Sequence, residues 1–220
     1  MRIALIGMSG SGKSFWSSVL SRNGFHYLGC DREIGRRLVD EGQLSAGSLD
    51  LIGNWMGFPF EAAYSQREAL YLAHEKAVMD RFLTELESRP PEHGSPPVVI
   101  DTTGSVIYTG QAIRKRLRQQ TVVVYLSTST AFRQALHRAY VENPRPVLWQ
   151  QHFKKKKGEE DQAALKRCYA NLLADREARY RHYAHLEICW DPVIESPPEV
   201  DTILAPVNAF LARERSSHAH

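Results

Sequence analysis

The sequence predicts an α/β fold, a parallel sheet with helices on both faces, and three observations carry that prediction. Short β-branched and apolar runs recur along the chain at Ile3–Ile6, Val98–Ile100 and Val122–Leu126. Longer stretches with apolar residues near a 3.6-residue period separate them. The first run passes directly into a glycine loop and then a helical pattern, as a buried parallel strand does. With 220 residues, 43% of them hydrophobic and 24% charged, the chain can bury one core, and a single domain over 1–220 is expected.

The elements follow in order. After Ile3–Ile6, a helix is expected from Lys13 to about Leu20, ended by Asn23-Gly24. Phe25–Leu28 reads as a second strand. Asp31 then reads as an N-cap for a helix through Leu38 and Val39, its carboxylate accepting from free backbone amides. Gly42–Gly57 mixes glycines with Leu49, Leu51, Ile52, Trp55 and Met56, which suggests a short helix in a partly apolar cap. A long helix is expected over Glu61–Ser88. The proline-rich Arg89–Pro97 cannot be regular. Beyond Val98–Ile100 come a helix around Gln111–Arg118, the strand Val122–Leu126 and a helix over Ser129–Val141, stopped by Asn143-Pro144. A basic loop reaches Gly158, a long helix runs to about Tyr183, Leu186–Cys189 reads as the last strand, and a helix from about Pro198 to Arg213 closes the chain before a frayed tail.

Bulk properties exclude several classes. No run approaches the ~18 apolar residues of a spanning helix. The three cysteines, Cys30, Cys168 and Cys189, form no C-x-x-C pair, which fits a reducing compartment. A cytoplasmic protein, monomeric and without a membrane or nucleic-acid partner, is expected. The net charge of +3 suits anionic metabolites as readily as polyanions.

Gly7-Met-Ser-Gly-Ser-Gly12-Lys13-Ser14 matches G-x-x-x-x-G-K-[ST] in full, between an apolar strand and a helix. This is a phosphate-binding loop. Its glycines turn backbone amides toward phosphate oxygens, and the helix start adds its positive dipole end. Gly7, Ser9, Gly10, Ser11, Gly12, Lys13, Ser14 and Phe15 are therefore the candidate ATP contacts. Lys13 would reach the outer phosphates and Ser14 would bind Mg²⁺. Magnesium also needs carboxylate support at a strand end, and Asp101 closes Val98-Val-Ile. Asp31, after the second strand, would orient an acceptor hydroxyl; a helix cap is the equal alternative.

Two arginines stand out. Leu165, Tyr169, Leu172, Arg176, Tyr180 and Tyr183 form one stripe at helical spacing, so Arg176 points inward. A buried guanidinium is costly without an anion, and a substrate carboxylate or phosphate suits its fork. A structural ion pair is the rival. Arg145 stands between Pro144 and Pro146, held extended as a lid arginine would be. Lys154–Lys157 reads as a solvated face, and His182 and His185 as surface histidines.

Together the loop, Asp31, Arg145-Pro146-Val147-Leu148 and Asp175-Arg176-Glu-Ala-Arg-Tyr180 resemble the shikimate kinase family over nearly the whole chain. That resemblance implies a P-loop NTPase three-layer fold with five parallel strands in the order 2-3-1-4-5, an acceptor cap over about 31–64 and a lid over about 143–160. It implies that Arg145 contacts ATP phosphates, that Arg138 and Pro197 flank adenine, and that Arg176, Asp31 and Gly104 meet the acceptor. Some positions depart from the family. Gly29-Cys30-Asp31 lacks the first acid of an Asp-x-Asp pair. Tyr64-Ser65-Gln66-Arg67-Glu68 replaces Phe-Arg-x-x-Glu, removing an acceptor arginine, and Thr102-Thr103-Gly104 replaces a triple glycine, adding side chains where the acceptor meets backbone.

The resemblance thus implies ATP-dependent phosphorylation of a hydroxyl on a small anionic metabolite, shikimate or another carboxylate, with Mg²⁺. Trp55, Phe58, Phe60 and Tyr64 keep a nucleoside or nucleotide kinase open, and the long cap and lysine-rich lid keep open a nucleotide-binding regulator.

Overall fold

A computed structural model describes residues 1–45, 52–89, 95–144, 146–191 and 199–217. Five strands, β1 (Arg2–Ile6), β2 (His26–Gly29), β3 (Val98–Asp101), β4 (Val122–Ser127) and β5 (Leu186–Cys189), form one sheet in the order β2-β3-β1-β4-β5. Every pairing is parallel. This is an α/β P-loop NTPase fold with the expected strand order.

Burial explains why the central strands lack alternation. β3 and β4 are buried at every position, because helices cover both faces, as parallel sheets require. One apolar layer joins Ala4, Ile6, Ile100 and Val123 to the helices α2 (Cys30–Asp40), α4 (Tyr64–Ser88) and α7 (Asp161–Tyr183). The opposite layer joins Ile3, Leu5, Val99 and Val124 to α1 (Lys13–Arg22) and α8 (Asp201–Ser217). Helices α3 (Ile52–Met56), α5 (Gln111–Gln120) and α6 (Thr130–Glu142) complete the chain, with 3₁₀ turns at Val106–Tyr108 and Gln150–His152.

Three local readings are corrected. Gly29, extended at φ −98° and ψ 112°, is the N-cap of α2, so Asp31 lies inside the first turn and its side chain does not cap. The Asp31 carboxylate instead accepts from the Tyr71 hydroxyl at 2.8 Å. The last helix continues to Ser217 rather than fraying after Arg213. His185 is no surface histidine: its Nδ1 accepts from the Val123 amide at 2.9 Å, and burial pulls its pKa down to about 4. Its imidazole therefore satisfies a β4 amide that the start of β5 leaves free.

Candidate active site

The parallel register sets the site. Asp101 pairs with Leu5 on one side and Gly29 on the other, so the ends of β1, β2 and β3 lie side by side where open α/β sheets bind ligands. The loop between β1 and α1 wraps this edge. Gly7 has φ +149°, and a Cβ there would sit 2.7 Å from the Leu126 carbonyl oxygen. Gly10 and Gly12 are left-handed at φ 81° and 87°. Glycine is therefore required for backbone approach at Gly7 and for the turn into α1 at Gly12. Lys13 lies buried against the loop, its Nζ donating to the Gly7 and Met8 carbonyls at 3.0 and 2.8 Å. Burial lowers its pKa, while Asp101 and Asp31 pull the other way.

These residues fit a magnesium nucleotide. The buried Ser11 hydroxyl finds no partner among the described residues. Ser14, at the first turn of α1, stands close enough to the Asp101 carboxyl to hold its pKa down, and Tyr27 donates to the same group at 3.3 Å. Burial raises the Asp101 pKa, with Ser14 and Lys13 opposing. Among the described residues no three His, Cys, Asp or Glu side chains cluster as a cage. Magnesium at phosphoryl-transfer sites takes one or two side chains plus phosphate oxygens, which this pairing can supply.

Across the mouth, Gly104 connects the two halves. A Cβ on it would lie 3.6 Å from the Gly7 oxygen and Ser9 nitrogen, and 3.5 Å from Arg176 Nη1. Arg176 is only 5% exposed. Its Nη2 donates to the Leu148 carbonyl at 2.7 Å, its guanidinium lies 5.6 Å from the Tyr108 ring centre, and Nε finds no partner among the described residues. No carboxylate pairs with it among the described residues, so the rival ion pair is not formed. Burial disfavours its charge, but the Tyr180 and Tyr108 hydroxyls outweigh that and its proton is held more tightly than usual.

The remaining expected contacts are scattered. Phe15 is exposed and stacks on Trp190 at 5.8 Å beside the loop. Arg138 is exposed on α6. Arg145 and Pro197 lie outside the described residues. Phe58 stacks on Phe60 at 5.6 Å, and Phe60 lies 6.4 Å from Phe153, so these rings pack on one another and the lid side.

Sequence reasoning missed Glu75 and gave Glu68 no role. Glu75 is fully buried, and its two oxygens accept from the hydroxyls of Thr103 and Ser105, the latter at 2.7 Å. Burial raises its pKa to about 7, the two hydroxyl bonds acting against the rise. The Thr102 hydroxyl donates to the Leu5 carbonyl at 2.7 Å. Both threonine side chains thus turn inward, rather than standing where an acceptor would meet the backbone. Glu68 instead accepts from the amides of Trp149 and Gln150 at 2.7 and 3.0 Å, and from the Tyr64 hydroxyl at 2.6 Å. It holds the chain at Trp149 and Gln150. The signal for Glu75 was present: Tyr71 precedes it by four residues, the same aromatic-to-glutamate spacing as Tyr64 and Glu68.

Fold and site together define a P-loop fold of the kind used by small-molecule kinases. A shikimate kinase from Acinetobacter baumannii, solved in complex with shikimate, superposes with a TM-score of 0.53 at 22% identity, over 97% of this chain and 93% of that one. The shikimate kinases of Bacteroides thetaiotaomicron and Aquifex aeolicus give TM-scores of 0.57 and 0.54, at 17% and 18% identity. They cover 96% and 98% of this chain, and 98% of each of theirs. No family model matches the chain, and no curated protein matches it significantly. The chain shares the shikimate kinase fold over 96–98% of its length.

Proposed function

We propose that this protein is an ATP- and Mg²⁺-dependent kinase that phosphorylates a hydroxyl of a small anionic metabolite. One observation carries the reading: a buried Arg176, with no carboxylate partner among the described residues, faces the phosphate-binding loop across Gly104. A guanidinium left without a counter-anion 3.5 Å from the Gly104 Cβ position is costly unless a ligand supplies the charge. A carboxylate or phosphate on the acceptor would meet it and bring the acceptor beside the loop.

Bound Mg·ATP would supply the phosphoryl group and neutralise its charge. The chain's own residues bind and orient. The backbone amides from Ser9 to Ser14 hold phosphate oxygens, and Lys13, moving off the Gly7 and Met8 carbonyls, stabilises the transferring group. Ser14 and Asp101 hold the metal side. Asp31, fixed by the Tyr71 hydroxyl, accepts a hydrogen bond from the acceptor hydroxyl and aims it. Gly104, Phe15, Arg138, Pro197 and Arg145 keep the acceptor, adenine and lid roles expected above, within one domain spanning 1–220. The shikimate found in the Acinetobacter structure makes shikimate the first acceptor to try.

The test measures acceptor-dependent ADP release with Mg·ATP for shikimate, other hydroxy-carboxylates and nucleosides, with Lys13→Ala as blank. Turnover with a hydroxy-carboxylate supports the proposal. Turnover with nucleosides alone assigns the cap aromatics to a base and overturns the acceptor class. ATP binding without turnover of any acceptor overturns the kinase reading.

A further inference from the structure

A cleft of about 470 Å³ opens beside the outer edge of β2, between that strand, α2 and α4. It shares no residue with the phosphate loop, Gly104 or Arg176. The sheet order leaves this edge of β2 unpaired by any strand among the described residues. Leu28, Val39 and Phe82 give the cleft an apolar floor. The volume falls within the range of small-molecule sites. Strand addition suits it poorly, because β2 has four residues and charged side chains crowd the edge.

The charges at the mouth are unequal in what they lack. Glu33 is held by Arg36 and Arg81, Arg36 also by Asp40, and Glu85 pairs with Arg89 at 3.3 Å. Arg32 makes no hydrogen bond or ion pair among the described residues, yet it lines the cleft close enough to Tyr27 to pull the phenol's pKa down against burial. One spare guanidinium above an apolar floor matches one negative charge on an apolar body. A dianion would meet the carboxylates of Glu33 and Glu85 with too little positive charge to offset them.

We propose that this cleft binds a small amphipathic monocarboxylate, its carboxylate on Arg32 and its apolar body on Val39 and Phe82, at a site separate from the catalytic one. Binding is communicated inward. Tyr27 lines the cleft and donates to Asp101, and Arg32 directly follows Asp31 in α2. An occupant therefore touches both elements that position the site's two carboxylates.

The test titrates the ¹⁵N-labelled full chain with 3-phenylpropanoate and, separately, with neutral 3-phenylpropanamide, following backbone amide shifts. The expected result is saturable, millimolar binding of the carboxylate, with shifts in β2, in α2 around Arg32–Val39, and at Asp101. The amide binds at least about tenfold more weakly, and Arg32→Gln weakens the carboxylate by a similar factor. Val39→Trp, which fills the floor, removes binding. Arg32 is exposed, so its variant keeps the fold if the wider fingerprint survives. Equal binding of acid and amide, full affinity in Arg32→Gln, or shifts confined to the phosphate loop and Arg176 would overturn the site. Shifts in β2 and α2 that leave Asp101 unmoved would overturn the link between them.

Discussion

Replacing Arg176 by methionine separates a ligand-binding arginine from a structural one, because the two roles predict opposite effects on stability. Breaking a buried ion pair costs about 3–5 kcal/mol, since a charge is left alone. Here no carboxylate would be stranded. The loss is one hydrogen bond to the Leu148 carbonyl, about 1–3 kcal/mol with that carbonyl left buried, and a cation–π contact with Tyr108 of about 0.5–2 kcal/mol. Against this stands relief from burying a guanidinium with no carboxylate partner among the described residues, a cost that the Tyr180 and Tyr108 contacts already reduce. The ligand-free Arg176→Met protein should therefore lie within about 1 kcal/mol of the parent in urea unfolding, or above it, the thioether filling much of the volume. Binding should respond differently. Losing the partner of a buried anion costs about 2–5 kcal/mol, or about 30- to 5,000-fold in kcat/KM for the acceptor. The KM for ATP, measured at saturating acceptor, should barely move. A stability loss above about 3 kcal/mol with acceptor kcat/KM changed less than threefold would refute this reasoning and make Arg176 a structural residue.

Lys13→Ala should lower turnover by at least about 10²–10³-fold, in line with loss of one preorganised charge-stabilising donor, while circular dichroism stays unchanged. Gly104→Ala introduces a Cβ at ordinary contact distance from Arg176 and Gly7, so melting temperature should hold while acceptor KM rises. For Glu75, whose folded pKa of about 7 stands above its unfolded 4.5, the folded state binds the extra proton. Its contribution to stability is complete below about pH 4.5 and is lost as pH rises through 7, up to about 3 kcal/mol in all. Denaturation of Glu75→Gln should thus show its advantage over the parent growing by that amount from pH 4.5 to 8; a constant difference would show that Glu75 does not titrate in that window. Glu68→Ala strips the acceptor from two lid amides and should speed proteolysis within 147–158 before the rest of the chain is cut.

The sheet was legible because its cause is local. Short apolar runs bounded by glycine, proline and helical patterns locate parallel strands without reference to their neighbours, and the phosphate loop fixes which strand is central. Arg176 was legible for the same reason: a charge on an apolar stripe marks itself and its burial follows the stripe, whereas the lack of a carboxylate partner depends on the neighbouring elements. Capping at Asp31 depended on which residue first turns helical, a difference of two positions that side-chain chemistry alone does not resolve. Glu75 was hidden by repetition. Tyr64 and Tyr71, and Glu68 and Glu75, stand seven residues apart on α4, almost two full turns, so each pair presents a tyrosine and a glutamate to nearly the same side of the helix.

That repetition also explains how the departures in sequence fit together. The upper pair fastens the lid: Tyr64 and Glu68 hold Val147, Trp149 and Gln150 through backbone groups. The lower pair fastens the strand ends beside the phosphate loop: Tyr71 holds Asp31, and Glu75 holds the turn that carries Thr103, Gly104 and Ser105. A glutamate buried there needs donors, and glycines in that turn would offer it no hydroxyl. Thr103 and Ser105 supply two, so hydroxyl side chains after β3 are the counterpart of a buried carboxylate rather than an obstruction of the acceptor space. On the proposed function, the loss of an arginine beside the acceptor would leave Arg176 as the anchor for its charge. Because Arg176 also donates to Leu148, next to the residues that Glu68 holds, acceptor binding as proposed and lid position would share one guanidinium. Weakening the lid contact at Glu68 should therefore change acceptor KM more than ATP KM, although the Glu68 carboxylate is taken up by the Tyr64 hydroxyl and the Trp149 and Gln150 amides.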